Sequence, residues 1–398
     1  MTRKQFLILV LALLVLGGAG IAVFRQDIAS YRASGAKIGA PLLPKFKLAD
    51  VAQVKLKDAK AQTTLVRRET GWVVRERGDY PANFQDISDL MVKLVELKVT
   101  QSEQVGASLL PRLDLNEPGK GEGAGVLVEF EDAQNKDLAR LVLGKIVKKK
   151  DPLNPLPNAV DGVPAGRYVL PASAKDTVVV VSDPLSKADA NPGKWLSRDF
   201  FKADRVRTLS VGPEGGAPSW KITRTEEWGQ WKFATGGGDL AAGRAVAAVN
   251  ALSSMAFNDV AVNAKPEDAA KPVVIVAETF DNLTYTIRMA KQKSGEDYLV
   301  TVAVAGEPPQ ARVLDKDDKA EKAEQKERRD KDFAETRKRL EERIARERAL
   351  AKWTYVVAKK DVEPLLKERS DLIARKDAKG EKGMPGGFPG MPGMPMMR

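Results

Sequence analysis

The strongest constraint on the fold is an internal repeat, because one pattern of strand, tryptophan and helix occurs in both halves of the chain. Trp72 in the first half and Trp231 in the second each follow a run of alternating apolar residues and precede a helical pattern of apolar residues. The spacing agrees as well, since 15 positions separate Trp72 from Ile87 and 15 separate Trp231 from Val246. A repeat of the whole strand, tryptophan and helix pattern indicates two structural units with the same architecture.

The periodicity within each half predicts the elements of the unit. Apolar residues at positions i, i+3, i+4 and i+7 after each tryptophan predict an amphipathic helix, with Asn83 and Asp239 as capping residues. Short β-branched runs predict the strands of an antiparallel sheet. These runs are Val126–Phe130, Leu138–Leu143, Arg167–Leu170 and Thr177–Val181 in the first half, and Val273–Ala277, Leu283–Met289, Tyr298–Val304 and Trp353–Val357 in the second. We therefore predict an α+β fold with two tandem antiparallel-sheet-plus-helix repeats.

The N-terminal segment Phe6–Phe24 contains 19 residues without a charge. As a helix it would span roughly 29 Å, which is close to the thickness of a bilayer core. We predict a single transmembrane helix that includes Phe6, Leu11, Leu16 and Phe24. A cleaved signal peptide is the alternative. The anchor would make the membrane a partner and predicts a single-pass protein of the bacterial inner membrane with most of the chain in the periplasm.

A long charged insertion interrupts the second repeat between Asp315 and Lys352. Its good helix formers and mixed charges predict a helical arm or hairpin that projects from the unit. Phe333, Leu340 and Ile344 form only a weak apolar seam along it. The seam is a candidate contact for a partner helix, and a fully solvated helix is the alternative.

The residues that most enzymes use are missing from the composition. The sequence contains no cysteine and no histidine, which excludes disulfides, thiolate and imidazole metal ligands, and the commonest general base. The glycine-rich segment 117–125 lacks the Lys-Ser/Thr step and the following helix of a phosphate-binding loop. We therefore predict no catalytic residue, no cofactor, no metal site and no enzymatic activity.

A basic patch is the one candidate for binding an anionic ligand. Lys145, Lys148, Lys149 and Lys150 lie close together in a chain whose net charge is +11. Such a patch could contact anionic lipid or an acidic polysaccharide. No basic–aromatic pattern typical of nucleic-acid recognition accompanies it, so nucleic acid is not expected as a partner.

These patterns divide the chain into four parts. We predict a membrane anchor at 1–30, a first repeat at 45–202, a second repeat at 203–375 with the charged insertion at 315–352, and a disordered Gly/Pro/Met tail at 376–398.

Several short motifs occur in the same order as in a known family. They are Gly71–Val74, Tyr80-Pro81-Ala82-Asn83, Leu143–Lys145 and Arg167–Val169 in the first repeat, and Trp231–Phe233 and Trp353–Val356 in the second. With the N-terminal anchor, this arrangement resembles family 4340 of the domains of unknown function over roughly residues 45–375. The second repeat departs from the pattern, since Gly236-Gly237-Gly238 stands where the first has Tyr80-Pro81. Trp72, Tyr80, Pro81, Trp231 and Trp353 are the residues we assign to the structural repeat.

The resemblance implies an envelope-anchored auxiliary protein associated with ABC-type transport systems related to gliding motility. It implies no catalytic residues. We therefore expect a non-enzymatic accessory or scaffold subunit of an envelope transport or motility complex, with a protein of that complex as its partner. A periplasmic binding module for an acidic glycan or another anionic polymer is the alternative.

Overall fold

The computed structural model describes residues 37–149, 162–172, 177–268, 271–312 and 323–374. They form two compact units. Unit 1 contains the described residues up to Asp199 together with Asn258–Val262. Unit 2 contains Phe200–Phe257 and the described residues from Asn263 onward.

Unit 1 is built around a nine-stranded antiparallel sheet and one helix. The strands are β1 (Gln53–Lys57), β2 (Gln62–Arg68), β3 (Gly71–Val74), β4 (Tyr80–Pro81), β5 (Val99–Gln104), β6 (Val126–Glu131), β7 (Asp137–Lys149), β8 (Val163–Pro171) and β9 (Thr177–Val181). Their order across the sheet is β4-β3-β2-β1-β6-β7-β8-β9-β5.

Helix α1 (Phe84–Glu96) packs through a single apolar face, with Ile87, Leu90, Met91 and Leu94 buried. It begins where the side chain of Asn83 accepts a hydrogen bond from the Gln85 N–H, which satisfies a free donor of the first turn.

The remaining elements follow in chain order. They are β10 (Val206–Pro213), β11 (Trp220–Thr223), β12 (Lys232–Phe233), α2 (Ala242–Ser253), β13 (Asp259–Ala261), β14 (Val273–Thr279), β15 (Leu283–Lys291), β16 (Tyr298–Gly306), α3 (Ala323–Ala349), β17 (Thr354–Val357), α4 (Lys359–Val362) and α5 (Arg369–Leu372). β13 belongs to unit 1 and the others to unit 2. Strand β15 shows why these segments are extended, since its residues alternate between buried and half-buried along most of its length.

The two sheets have the same strand order. Seven strands of unit 1 lie in the order β3-β2-β1-β6-β7-β8-β9, and seven strands of unit 2 lie in the order β12-β11-β10-β14-β15-β16-β17. The register matches too, because the Val54–Leu65 and Leu65–Val74 pairs of unit 1 correspond to Leu209–Ile222 and Ile222–Phe233 of unit 2. Trp72 lies two positions before Val74, and Trp231 lies two positions before Phe233, so the two tryptophans occupy equivalent positions.

The predicted α+β class is wrong. In the part of the chain that the structure describes, two large antiparallel sheets dominate the fold. Each sheet carries only one helix of the repeat, so the helices there do not form a second layer comparable to the sheet. The charged insertion is also not the freely projecting arm that we expected. Helix α3 covers Ala323–Ala349, and Ile344 and Glu347 near its end are buried.

The predicted transmembrane helix and the single-pass inner-membrane location are corrected as well. Among the residues that the structure describes, no helix is both long and apolar enough to cross a bilayer. The longest one, α3, consists largely of charged residues. The segment Phe6–Phe24 and the tail 376–398 lie outside the described residues.

Candidate functional site

One edge of the sheet in unit 2, formed by the ends of its strands and the loops between them, carries both an exposed tryptophan and a buried carboxylate. Val206 at the start of β10 pairs with Thr279 at the end of β14, and Leu283 at the start of β15 pairs with Gly306 at the end of β16. Antiparallel pairing therefore places the β11–β12 hairpin, the β14–β15 turn and the β16–β17 connection at the same edge. We call this the arm edge and define it by residues 202–205, 224–231, 280–282 and helix α3.

A buried carboxylate attaches helix α3 to the arm edge. Glu347 is only 4% exposed, and it accepts hydrogen bonds from the Tyr285 hydroxyl at 2.7 Å and from the Lys202 N–H at 3.1 Å. Burial raises the pKa of Tyr285, and the hydrogen bond to Glu347 raises it further. A buried charge is costly unless it is compensated, and here a donor from β15 and a donor from the segment before β10 compensate a carboxylate from the helix.

Arg343 completes this attachment one turn earlier on the helix. Its guanidinium lies 3.6 Å from Glu347 and 3.3 Å from Asp204, and the neighbouring Ile344 is buried. The first ten residues of the helix, 323–332, are all exposed. Asp330 among them lies 3.4 Å from Arg312. The structure therefore fixes the last turns of α3 to the sheet and leaves its first turns open to solvent.

The second feature of the arm edge is the hairpin loop Arg224–Trp231, which we call the tip. Trp228 in this loop is 92% exposed, more than any other large hydrophobic side chain among the described residues. The Arg224 guanidinium lies over the ring of Trp231, 4.7 Å from its centroid, and donates through Nε to the Val206 carbonyl at 2.8 Å. Burial lowers the pKa of Arg224. The base of the tip is therefore ordered, although its outermost ring is free.

Arg205 joins the tip to the adjacent turn. It forms ion pairs with Glu227 at 2.9 Å and with Asp281. The hydrogen bond to Glu227 raises the pKa of Arg205. The Gly229 N–H donates to the Glu226 carbonyl at 3.0 Å, which closes the turn that carries Trp228. These contacts hold the backbone on both sides of the exposed indole.

A cleft of about 880 Å³ lies at the opposite edge of the same sheet. The end of β10, the start of β11, the start of β14 and the segment Leu365–Ser370 line it. The indole N–H of Trp220 donates to the Lys367 carbonyl at 2.8 Å, which attaches this segment to the sheet. We call this the cleft edge.

The predicted apolar seam of the insertion is divided between the interior and the surface. Ile344 is buried in unit 2, while Phe333 and Leu340 are half-buried. Ile344 is therefore part of the fold and is not available to a partner helix.

The described lysines of the predicted patch lie within the last five residues of β7. Lys145 donates to the Arg112 carbonyl at 2.7 Å and lies 4.0 Å from Asp114. Lys148 and Lys149 lie at the far end of β7, beyond irregularities in its pairing, and Lys150 lies outside the described residues.

The repeat residues have structural positions that differ between the units. Trp72 and Tyr80 are buried in unit 1, and Pro81 is exposed in the edge strand β4. Trp231 and Trp353 in unit 2 are half-buried. Only Trp231 among them belongs to the arm edge.

Sequence reasoning missed Trp228, Tyr285 and Glu347. Glu347 lies three positions after Ile344, so the apolar seam could have been extended to it at helical spacing. Trp228 carries no such signal, because exposure of a loop residue depends on the surrounding fold.

The charged side chains of the arm edge hold its segments together. They form opposite-charge pairs, and across the described residues no group of three or more Asp or Glu side chains is placed to hold a metal ion.

The chain matches no protein-family model, and no curated protein and no solved structure matches it. The resemblance to family 4340 therefore stays a prediction.

Proposed function

We propose that this chain is a non-enzymatic accessory or scaffold protein that binds a protein subunit of a transport or motility complex through helix α3. The observation that carries the proposal is the rigid attachment of a charged helix whose first turns remain exposed. A helix fixed at one end presents its free surface in a defined direction, which lowers the entropy cost of binding a partner.

The charge pattern of the exposed turns supports a protein partner. Residues 323–332 contain Glu324, Glu327, Asp330 and Asp332 together with Lys326, Arg328, Arg329 and Lys331. Mixed charges along a helix favour a partner with a complementary arrangement of both signs, and they give register and orientation more than raw affinity.

The raised pKa of Tyr285 also supports a binding role. In enzymes, strongly perturbed groups tend to lie in an open cleft where substrate can reach them. Tyr285 is instead buried, and its hydroxyl donates to Glu347 of helix α3, which holds the helix in place.

Site-specific photo-crosslinking in native cells tests this proposal. A photoreactive residue at Glu327, on the exposed part of α3, is expected to form adducts with a transport or motility subunit, identified by mass spectrometry. The matched control is the same residue at Lys293, an exposed position in the β15–β16 turn of the same unit.

Two results would contradict the proposal. One is an equal adduct pattern from both positions, which would mean that contact with the helix is incidental. The other is turnover of a substrate by the purified full-length protein in a broad hydrolase and transferase screen.

A further inference from the structure

Exposure of the Trp228 ring to water is unfavourable unless the ring binds a partner. A tryptophan side chain contributes on the order of 150–250 Å² of mostly apolar surface when it is buried. Tryptophan is also among the residues that dominate the binding energy of protein interfaces. Trp228 is 92% exposed on an ordered loop, as expected of an anchor residue in a protein interface.

The corresponding hairpin of unit 1 carries no such ring. β2 and β3 are joined by Glu69 and Thr70 alone, whereas the loop in unit 2 extends from Arg224 to Trp231. The same sheet therefore forms without the longer loop, so Trp228 is not required by the strand order.

Unit 2 also contains a surface that suits the tip. The cleft edge has an apolar base, with Trp220 buried and Val273 and Leu366 half-buried. Its volume of about 880 Å³ lies within the range of pockets that enclose whole small ligands. An indole ring is smaller than such ligands and needs only part of this space.

The charges of the two surfaces are complementary. Trp228 is flanked by Glu226 and Glu227, with Asp281 beside them, and Arg205 and Arg224 at the base of the tip leave one negative charge in excess. The cleft is lined by Lys271, Lys367 and Arg369 against Glu214 and Glu368, which leaves one positive charge in excess. Three of these side chains already have partners outside the cleft. Glu214 pairs with Arg288, Lys367 pairs with Glu363, and Arg369 lies over the ring of Phe233 and donates to the Gly237 carbonyl. The exposed Lys271 is therefore the cation that we expect to contribute most to attraction between the two surfaces.

The tip of one molecule cannot fill its own cleft. The cleft contacts β11 at Trp220 and the tip begins after Thr223, at opposite ends of that strand. The eight residues of β10 separate the two edges by roughly 25 Å at the usual rise of a strand.

We infer that the tip of one copy inserts Trp228 into the cleft of a second copy, with the carboxylates around the tip facing Lys271. Because the donor and acceptor surfaces differ and lie at opposite edges, the contact is heterologous. We place the copies head to tail, so that each inserts its tip into the next and the series closes as a ring or extends as a filament. This assembly goes beyond the proposed function, since it involves the tip and the cleft and not helix α3.

Sedimentation velocity of the full-length protein over a range of concentrations tests the inference. The wild type is expected to form species larger than a dimer, and Trp228→Ala is expected to weaken association at least about tenfold. The double variant Lys271→Glu/Lys367→Glu is expected to weaken it as well. Phe84→Ala is the matched control, because Phe84 is also an exposed aromatic residue (64%) but belongs to unit 1. Circular dichroism verifies that each variant is folded.

Mixing provides the decisive result. Trp228→Ala keeps an intact cleft and the lysine double variant keeps an intact tip, so the two together are expected to form a 1:1 dimer that neither forms alone. A monomeric wild type, an undiminished association of Trp228→Ala, or a mixture that stays monomeric would each overturn the inference. Recovery of monomer with Trp228 bound instead to lipid vesicles or another protein would also overturn it. Failure here leaves the crosslinks from Glu327 unchanged, so the two proposals fail separately.

Discussion

The two sheets share a strand order but differ in the loops at one edge. In unit 1, two residues join β2 to β3, and the five residues 172–176 join β8 to β9. In unit 2, the corresponding connections are the tip 224–231 and the segment 307–353, which contains helix α3. Both extensions lie at the arm edge.

This difference distinguishes the residues that form the sheet in both units from the longer loops that only unit 2 carries at this edge. The same strand order forms in unit 1 with short connections at the end that corresponds to the arm edge. Loop insertions at sheet edges are tolerated because the closure cost grows slowly with length. The residues with no equivalent in unit 1 are therefore the first place to look for function, and the shared residues are the first place to look for stability.

The sharpest test of this comparison concerns the two equivalent tryptophans. We expect Trp72→Ala to destabilise unit 1 by about 3–5 kcal/mol, because a buried aromatic side chain leaves a large cavity. Trp231→Ala should cost only about 1–2 kcal/mol, because this ring is half-buried and stacks on Arg224. Urea unfolding followed by circular dichroism measures both, and equal losses would show that the two positions are energetically the same.

A second test removes the buried carboxylate that attaches helix α3, since unit 1 joins the corresponding strands β8 and β9 by only five residues. Glu347→Ala leaves the Tyr285 hydroxyl and the Lys202 N–H without their acceptor, so we expect a loss of about 2–3 kcal/mol. Hydrogen exchange should become faster along α3 while β10 and β14 stay protected.

Glu341→Ala is the control for that experiment. Glu341 lies on the same helix, is exposed and pairs only with Arg337, so its loss should change stability by less than about 0.5 kcal/mol. If Glu347→Ala were as mild as this control, the attachment of the helix would depend on the burial of Ile344 and on the Arg343–Asp204 ion pair.

A third test concerns the short hairpin of unit 1. Gly71 has a φ of +125°, a conformation that side-chain-bearing residues rarely adopt. Gly71→Ala should therefore cost about 1–2 kcal/mol although the space around it is empty. Gly243→Ala, in helix α2 and also without close neighbours, should instead be neutral or stabilising. Thermal unfolding of the two variants distinguishes them, and a similar loss in both would refute the strain argument.

The smallest effect is expected for Glu296, an exposed carboxylate at the cleft edge that contrasts with the buried Glu347. Glu296 accepts hydrogen bonds from Lys359 at 2.7 Å and Lys291 at 2.9 Å, and these lower its pKa to about 2. A carboxyl whose pKa is lowered by folding stabilises the fold above its unfolded pKa, and the stabilisation disappears as pH falls through the folded value.

Glu296→Gln should therefore lower the urea midpoint slightly at pH 7, and the difference from the wild type should vanish between about pH 4.5 and pH 2. A difference that persisted at pH 2 would mean that Glu296 acts through packing and not through its charge.

Much of the strand pattern was visible in the sequence because alternation directly reflects a half-buried sheet. The runs around Val273–Ala277 and Leu283–Met289 became β14 and β15, and the Asn83 cap became the start of α1. The fold class was missed because a repeat of strand and helix does not state how many strands share one sheet. Pairing between strands distant in sequence depends on contacts that local periodicity does not encode.

The arm edge was harder to predict for a related reason. Glu347 lies in a run of exposed-looking charges, and only the partner residues Tyr285 and Lys202, from other parts of the chain, make its burial favourable. Trp228 and Trp231 look alike in the sequence, yet Arg224 covers one ring and leaves the other free.

The bond between Glu347 and Tyr285 also has a mechanical consequence. Tyr285 lies in β15, which pairs with β14 over six residue pairs and with β16 over nine. A force that pulls on helix α3 therefore enters an interior strand, where hydrogen bonds on both sides share the load. A partner that pulls on the helix would therefore load the centre of the unit 2 sheet through this bond, as well as β17, to which the helix is joined through the backbone.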